Sequence, residues 1–575
     1  MIDGKLTISY LKRGYKKGIF TPENICYEII KRANETADMN IWIVPPSMEF
    51  IQQYLDNLKT LNKEKALLWG IPFAIKDNID IKGIYTTAGC RNFAYMPREH
   101  ATVVKLLIKE GAIPVGKTNL DQFATGLVGT RSLFGETHNS LKPELISGGS
   151  SSGSAVSVAM GQAVFSLGTD TAGSGRVPAA LNNLVGLKPS LGGWSTKGVV
   201  PACASLDCIT VFTHNLEDAK LVNKIAWHYD KQCCWSKKLN WVKEKMPEKI
   251  CLPDSELEFY GDYAEQYKYN WKMFVKTVEK MDIPIEYVDY KIFAEAAAIL
   301  YDGPWIAERW SDLGGFVVKN ESHEMVPVTE SILKSGNKDT LKADSVFKAM
   351  HRLAKIKCEV RKILKDSILL LPTCGGTYTR KQVDADPIET NSNMGLYTNH
   401  CNLLELSALA FQAGFIEEKI PFGVTSFALS EEDGINLAFA KVWQSVYLED
   451  RMIPLAVCGL HMRGLSLETQ LINIGAKFKS ERKTSSNYRL IKLPTNPSKP
   501  GLIRVGNNGQ KIQLEIWDVP IKQLGEFLEK IPEPLCIGKV ELDDGRRVSG
   551  FICESYMQSQ SEDISKFKSW RNINK

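Results

Sequence analysis

The sequence predicts an α/β fold: an α/β sandwich around a mixed β-sheet, followed by a smaller, β-rich α+β domain. Three observations lead to this fold class. Over the first 455 residues, short apolar stretches alternate with helical patterns, which is typical of strands and helices packed in layers. From about His461 onward, short strand patterns separated by turns prevail. A chain of 575 residues also exceeds the usual size of one domain, so we place the domains at 1–455 and 456–575.

The elements of the first domain follow from caps, breakers and apolar spacing. A helix begins at 21–23, where Thr21 is a capping residue and Pro22 suits the first turn. Gly111 ends a second helix. The remaining predicted elements alternate along the chain: a buried strand at 71–75 that ends at Lys76, a helix at 101–110, a strand at 113–115, a small-residue helix at 153–160 and a strand at 164–167.

Later parts of the chain are less regular. Residues 228–260 are rich in Lys, Trp and Pro and predict an irregular connection, whereas 290–360 predict mainly helix. In the second domain we expect a loop at 496–501 and a hairpin turn at Asp544-Gly545. Short strands are expected there at 488–493, 502–505, 512–517 and 537–542.

Composition excludes several classes of protein. The net charge of +5 comes with no dense Lys/Arg block, which argues against a nucleic-acid or membrane surface. No apolar run approaches the roughly 18 residues of a membrane span, and the amino terminus shows no signal core. The 13 cysteines include no Cys-x-x-Cys pair, and no His-Glu-x-x-His occurs. We therefore expect a cytoplasmic protein with reduced thiols and no metal or cofactor.

Two turns rich in serine and glycine are the strongest functional signal. They cover 148–154 and 169–178, and Ser150 and Ser174 lie 24 residues apart. Glycines beside a serine let the backbone approach a substrate and aim its N–H groups inward, as an oxyanion hole requires. Lys76, at the end of a predicted buried strand, completes a candidate Ser–Ser–Lys set.

Lys76, Ser150 and Ser174, with their surroundings, resemble the amidase signature family over about residues 1–455. The resemblance implies the α/β sandwich of that family, with Ser174 as nucleophile and Ser150 after a cis peptide bond. Lys76 would be the base, which requires a neutral amine. Lowering a lysine pKa from 10.4 to about 7 costs roughly 4–5 kcal/mol, and burial among Ile71, Phe73 and Ile75 is the expected source.

The oxyanion donors are expected in the second turn. We predict that the N–H groups of Thr171, Ala172, Gly173 and Ser174 bind the developing negative charge. The family run has two glycines before the nucleophile, and here Ala172 replaces the first. Asp170 and Arg176 are expected to brace the same turn.

An alternative interpretation concerns the first turn. Residues 149–153 also satisfy Gly-x-Ser-x-Gly, the nucleophile elbow of α/β-hydrolases, with Ser151 as nucleophile. The residues before it are Pro-broken and predict no feeding strand. This interpretation also leaves Lys76 and Ser174 without a role.

Within the family, the chain is similar to the allophanate hydrolases, on three features: the segment 126–132, the segment 301–309 and the carboxyl-terminal domain. The resemblance implies a small anionic substrate, allophanate, which would yield ammonia and carbon dioxide. We expect Arg309 to bind its carboxylate as a fork, helped by Tyr301 and Gly126, with Arg131 as a second candidate. The alternative is that Arg309 is a surface residue paired with Glu308 or Asp312.

The second domain offers His461, close to Arg463. Related enzymes form N-carboxycarbamate when the amidase step releases ammonia, and a basic pocket around His461 would promote its decarboxylation. The alternative is a domain that only packs or mediates assembly. The resemblance also implies a homodimer and coupling to, or fusion with, urea carboxylase.

Three other functions stay open from the sequence. They are a general amidase, the glutaminase subunit of a transfer-RNA amidotransferase and an inactive amidase-like scaffold.

Overall fold

The computed structural model describes residues 5–241, 243–301, 303–319, 325–417, 419–449, 452–506 and 508–573. It divides into two compact units, Met1–Lys441 and Val442–Lys575. The predicted domain boundary at 455 falls within the strand Met452–Val457, which pairs with two later strands of the second unit.

A large mixed sheet forms the centre of the first unit. Among the described residues it has eleven strands, which we number in chain order: β1 Trp42–Val44, β2 Ile71–Lys76, β3 Ala112–Thr118, β4 Phe165–Asp170, β5 Val185–Lys188, β6 Cys208–Thr213, β7 Lys249–Pro253, β8 Ile285–Val288, β9 Ser367–Pro372, β10 Ser407–Glu417 and β11 Ile420–Ala428. Their spatial order is β1-β3-β2-β4-β6-β5-β10-β11-β9-β7-β8. Strands β2, β3 and β4 run parallel, whereas β4, β6, β5, β10, β11 and β9 are joined by antiparallel pairs.

Helices accompany this sheet along the chain. They are α1 Ile8–Lys16, α2 Pro22–Glu35, α3 Met48–Leu58, α4 Thr102–Lys109, α5 Ser152–Ala159, α6 Val177–Leu181, α7 Leu216–Ala226, α8 Ala264–Val278, α9 Lys291–Tyr301, α10 Ile306–Lys319, α11 Pro327–Ser335, α12 Ala343–Leu364, α13 Arg380–Ala385, α14 Glu389–Met394, α15 His400–Leu403 and α16 Asp433–Glu449. The mixed sheet with its helices confirms the predicted α/β fold class.

Local sequence accounts for the elements that precede the site. Thr21 and Asn24 cap α2 reciprocally, each side chain accepting from the other's backbone N–H. Gly111 ends the turn after α4 with a φ of +86°, and a Cβ there would lie 2.8 Å from the Cα of Trp69. Strands β2 and β4 are buried throughout, as expected of central parallel strands.

The second unit is β-rich. Its strands are β12 Met452–Val457, β13 Lys477–Lys483, β14 Tyr488–Leu493, β15 Lys499–Arg504, β16 Gln513–Pro520, β17 Leu535–Glu541, β18 Arg547–Cys553 and β19 Glu562–Asp563. In the described part of the chain they form a five-stranded sheet, β13-β16-β12-β18-β17, and a three-stranded sheet, β15-β14-β19. Helices α17 Glu468–Asn473 and α18 Ile521–Glu529 complete the unit.

Two segments predicted to be irregular contain strands. The loop expected at 496–501 ends early, because Lys499, Pro500 and Gly501 already pair with β14. Strand β15 is at the edge of its sheet, where the missing N–H of a proline costs no hydrogen bond to a neighbouring strand. Within 228–260, the residues of β7 form a strand because Ile250, Cys251 and Leu252 are fully buried beside β9.

None of the helices in the described residues combines the length and the apolar character needed to cross a bilayer.

Candidate active site

Lys76 stands at the carboxyl end of β2 and is fully buried. Its Nζ lies 2.7 Å from Ser150 Oγ and 2.8 Å from Thr169 Oγ1. Thr169 belongs to β4, which runs parallel to β2, so the two carboxyl ends meet at one edge of the sheet. The sheet geometry therefore delivers both groups to the same point.

Ser150 connects the lysine to the second serine. The peptide bond from Gly149 to Ser150 is cis, and Ser150 Oγ lies 2.9 Å from Ser174 Oγ. Ser174 is 4% exposed. The three predicted residues thus form one hydrogen-bonded chain, Lys76–Ser150–Ser174, shielded from bulk water.

Burial lowers the pKa of Lys76 to about 7, against the charges of Asp121, Asp207 and Asp170, which raise it. This is the value that a lysine base needs near neutral pH. The neutral amine is favoured because the buried ammonium has lost its hydration.

The turn before Ser174 is braced by a buried ion pair. Arg176 donates from Nε to Asp170 Oδ2 at 2.9 Å and from Nη2 to Asp170 Oδ1 at 3.0 Å. Burial opposes ionisation of Asp170, but the charge and hydrogen bonds of Arg176 hold the pKa of Asp170 below its ordinary value. Asp170 and Arg176 therefore fix the turn, as the sequence suggested.

Asp170 also changes the set of oxyanion donors. The N–H of Gly173 donates to Asp170 Oδ1 at 2.8 Å. This corrects the expectation that Gly173 would present its N–H to a substrate, because that donor is already used. In the described part of the chain, the backbone N–H groups of Thr171, Ala172 and Ser174 form no hydrogen bond, so these remain the donors of the turn.

A cavity of about 430 Å³ opens beside the loop 125–131, and Gly126, Arg131 and Asn399 are among its lining residues. A Cβ on Gly126 would lie 2.6 Å from Asp121 Oδ2, so only glycine fits between the loop and that carboxylate. Thr398, next to Asn399, donates its hydroxyl to the carbonyl of Ala172 at 2.8 Å. The cavity wall is thus tied to the turn that carries Ser174.

Arg309 and Arg131 are both 2% exposed. Arg309, on α10, donates from Nη1 to Thr125 Oγ1 at 2.8 Å, and Arg131 donates from Nη1 to the carbonyl of Thr125 at 3.1 Å. The structure thus brings both arginines to Thr125, which lines the cavity. Its burial excludes a surface position for Arg309. The side chain of Tyr301 lies outside the described residues.

A clamp on the loop 202–207 was missed from the sequence. Glu308 accepts from the N–H and the hydroxyl of Ser205, both at 2.7 Å. In the same loop, Asp207 accepts from the hydroxyl of Thr171 and, at 2.8 Å, from the N–H of Ala202. Burial raises the pKa of Asp207 to about 6. Helix α10 therefore holds this loop, and the loop holds the oxyanion turn.

His461 lines a cavity of about 250 Å³ in the second unit. Its ring stacks on Phe551 at a centroid distance of 5.0 Å and meets Phe527 edge-on at 5.4 Å. Its Nε2 lies 3.0 Å from Gln470 Oε1. The charged residues that line this cavity are Lys499 and Lys530.

Arg463 does not share the cavity with His461. It donates from its N–H to Glu515 Oε2 at 2.9 Å and from Nη2 to Glu481 Oε1 at 2.6 Å. Its guanidinium also stacks over Phe478 at 3.5 Å. The expectation of one basic pocket that contains both His461 and Arg463 is therefore wrong, because Arg463 is paired with two carboxylates away from the cavity.

Two family models match the chain, one in each of its two parts. A family model described as Amidase matches residues 24–434, and a model described as Allophanate hydrolase C-terminal domain matches residues 453–575. The chain belongs to the amidase family. Among the described residues, no group of His, Cys, Asp or Glu side chains is placed to hold a metal ion.

Individual relatives of this amidase-family chain extend the likeness over its whole length. A urea amidolyase of Lachancea kluyveri is 39% identical over 96% of the chain, but the chain spans only about a third (32%) of that relative. A solved structure of Kluyveromyces lactis allophanate hydrolase is 36% identical, covers 99% of this chain and 98% of its own, and superposes with a TM-score of 0.73. A glutamyl-tRNA(Gln) amidotransferase chain of Halothermothrix orenii is 33% identical over 77% of this chain and 96% of its own.

The nucleophile-elbow interpretation finds no support in this amidase fold. Ser151 is fully buried, and its hydroxyl donates to the carbonyl of Thr169 at 3.1 Å. It precedes α5, which opens at Ser152, but in the described part of the chain no β-strand leads into it. Ser151 thus ties the turn before α5 to strand β4, whereas Ser174 is connected through Ser150 to Lys76.

Proposed function

We propose that this chain hydrolyses allophanate to ammonia and carbon dioxide, with Ser174 as nucleophile. The observation that carries the proposal is the buried chain Lys76–Ser150–Ser174, whose lysine has its pKa lowered to about 7. Likeness to Kluyveromyces lactis allophanate hydrolase along the entire chain supports the choice of substrate.

In the first step, neutral Lys76 accepts the proton of Ser150 while Ser150 accepts that of Ser174. Ser174 Oγ then attacks the terminal amide carbon, and the electron pair of the C=O bond moves onto oxygen. The N–H groups of Thr171, Ala172 and Ser174 are the donors aimed at that oxyanion.

The proton held by Lys76 returns through Ser150 to the leaving nitrogen as the C–N bond breaks. Ammonia departs and an acyl-enzyme on Ser174 remains. Water, deprotonated by the same chain, attacks this ester and releases the dicarboxylated nitrogen product, N-carboxycarbamate.

The substrate carboxylate is proposed to bind near Arg309 and Arg131. Arg131 lines this wall of the cavity, and Arg309 reaches it at Thr125. A guanidinium can bind a carboxylate through two parallel hydrogen bonds. Gly126 lines the same cavity, and we keep Gly126 and Tyr301 as proposed contributors to the substrate site.

The second unit is proposed to decarboxylate N-carboxycarbamate. The proton of a charged His461 passes to the bridging nitrogen while one C–N bond breaks and its electron pair stays on nitrogen. One carbon dioxide and one carbamate result, so atoms and charge balance. The support is a cavity that contains an imidazole and is charged only by lysines among its lining residues.

Three further proposals follow from the resemblance. The chain acts with urea carboxylase, as a separate protein or as a part of a longer one, in the cytoplasm. It assembles as a homodimer.

Among the alternatives, a general amidase or a glutaminase subunit leaves residues 453–575 without a role, although those residues match a domain of their own. An inactive scaffold does not account for the intact triad.

Product analysis tests the proposal. We expect ammonia release from allophanate and little from urea, malonamide or glutamine at equal concentration. Ser174→Ala should lower the rate by about 10⁴-fold or more, as loss of a catalytic nucleophile does. Ser157→Ala is the matched control, since Ser157 is equally buried and donates only to Ser154 of its own helix. Preference for glutamine over allophanate would contradict the proposal.

A further inference from the structure

Gln470 is the polar partner of His461 in the second unit. Its Oε1 lies 3.0 Å from Nε2 of the imidazole. An amide oxygen only accepts hydrogen bonds, so the neutral ring must carry its proton on Nε2. That leaves Nδ1 as the nitrogen that a ligand can use.

Aromatic packing fixes the ring plane but not its protonation. Phe551 stacks on the imidazole with an interplanar angle of 22°, and Phe527 meets it at 70°. Neither ring forms a hydrogen bond with a particular nitrogen. The choice of tautomer therefore rests on Gln470.

The charges around the cavity are unbalanced. Lys530 lines the cavity and pairs with Glu526 at 2.8 Å. Lys499 also lines the cavity, and among the described residues it forms an ion pair with no carboxylate. An anion that enters would therefore meet the Lys499 ammonium without having to displace an acidic side chain.

We propose that Gln470 is a positioning residue that keeps the proton of the neutral His461 ring on Nε2, and that Lys499 recognises a doubly charged carboxylate ligand at this cavity. The inference rests on the proposed decarboxylation in the second unit and deepens it. A dianion beside the ring draws a proton from solvent onto Nδ1. That proton then passes to the bridging nitrogen of the ligand, and the Nε2 proton stays with Gln470.

The groups that face His461 are consistent with such uptake. Burial lowers the pKa of His461, the hydrogen bond to Gln470 raises it and the charge of Lys499 lowers it. Cys458, which also lines the cavity, stays a neutral thiol because burial raises its pKa to about 12. These groups together favour the neutral ring. A bound dianion favours the charged ring, because its negative charge raises the pKa of His461 and neutralises the Lys499 charge that lowers it.

The test uses the full chain with ¹³C,¹⁵N-labelled histidine, and malonate as a stable dicarboxylate probe. His461→Gln identifies the resonance of His461. We expect the Nε2–H tautomer in the free protein, and malonate should raise the titration midpoint of His461 by about 1 pH unit or more. Lys499→Met should weaken malonate binding about tenfold, whereas the exposed Lys522→Met control should not.

Gln470→Met decides the positioning role. We expect mixed tautomers and an approximately tenfold slower release of carbon dioxide at early times, with ammonia release unchanged. Gln558→Met, the same change at an exposed site of the unit, is the matched control. Gln470→Glu retains an acceptor and should keep the Nε2–H tautomer with a higher midpoint, which provides a second measurement if Gln470→Met does not fold.

Two results would overturn the inference: a Gln470→Met variant with the tautomer and rates of Gln558→Met, or a His461 signal that malonate does not move. Failure of the proposed decarboxylation is recognised separately. In that case His461→Gln leaves the early ratio of carbon dioxide to ammonia unchanged, while the tautomer and malonate measurements still decide the roles of Gln470 and Lys499.

Discussion

Lys76 in the first unit is fully buried and meets two hydroxyl groups, whereas His461 in the second unit is half-buried beside an open cavity and has one amide partner. The first site is organised before any ligand binds, because Lys76, Ser150 and Ser174 already form one hydrogen-bonded chain. In the second, Lys499 lines the cavity without a carboxylate partner among the described residues.

This difference matches the chemistry that each site is proposed to perform. Acyl transfer needs a base that is neutral before the substrate arrives, and burial supplies that state at all times. Decarboxylation needs an acid, and a site that gains its proton with the ligand avoids holding a buried charge when empty. Single changes should therefore cost most in the first unit.

The largest expected effect is that of Lys76→Met. Ammonia release should fall by about 10³-fold or more, because in the proposed mechanism Lys76 is the base that accepts the proton of Ser150. In the wild type, kcat should rise with pH through about 7 as Lys76 loses its proton, measured as initial rates from pH 5.5 to 9. Normal turnover by Lys76→Met would place the base elsewhere.

The same variant should be more stable than the wild type at pH 7. The folded-state pKa of Lys76 lies below the unfolded value, so the unfolded chain binds more protons between these values. Its contribution to stability therefore falls as the pH drops from about 10.5 to about 7. Methionine removes the cost of burying an ionisable amine. A higher melting temperature for the variant would show that Lys76 lowers the stability of the fold.

Arg309→Gln should have the next largest effect, and a selective one. We expect transition-state stabilisation, obtained from the ratio of the kcat/KM values, to fall by about 2–5 kcal/mol for allophanate and by much less for neutral malonamide. The matched change Arg489→Gln, in the second unit and away from both cavities, should affect neither substrate. Equal losses on both substrates would make Arg309 a structural residue.

Glu308→Met should have a moderate effect, about three- to tenfold on kcat, because it removes the acceptor of both hydrogen bonds from Ser205. Their loss loosens the loop that positions Asp207 and, through it, Thr171. KM should change less than kcat, and Ser205→Ala should give a similar pattern. A change in KM alone would contradict this chain of contacts.

The sequence predicted the triad because turn residues and an apolar strand mark Lys76, Ser150 and Ser174 locally. It did not predict Thr169, although this residue also stands at the carboxyl end of a buried strand, because a threonine hydroxyl has no distinctive pattern. The hydrogen bond from Ser205 to Glu308 joins residues 103 positions apart in the sequence, and only the folded chain brings them together.

In the second unit, proximity in sequence was misleading. Arg463 is two residues from His461, but Glu515, on β16, draws it away from the cavity. Lys499 and Gln470 come from β15 and α17 and carried no motif. Strands were predicted well from alternation at β14, whereas the start of β15 was hidden by its proline.

His400 is a buried polar side chain in the first unit, and its two ring nitrogens have no hydrogen-bond partner among the described residues. The rings of Tyr290, Phe293 and Phe427 surround it, the last at a centroid distance of 4.7 Å. Burial lowers the pKa of His400 to about 3, with the charge of Arg176 acting in the same direction. We therefore expect His400→Phe to change activity least among these variants and to raise the stability of the protein measurably.

The gain should depend on pH with a definite sign. The unfolded chain protonates this histidine below about pH 6.5 and the folded chain does not, so the wild type loses stability as the pH falls towards 3. Phenylalanine removes both this pH-dependent loss and the two unpaired nitrogens. We therefore expect the free energy of unfolding to rise by about 1 kcal/mol at pH 7.5 and by about 2 kcal/mol more at pH 5. Urea unfolding at the two pH values measures the difference, with His351→Phe on the exposed side of α12 as control. A variant that is less stable at both values would mean that the larger ring does not fit, and a gain independent of pH would mean that His400 titrates normally in the fold.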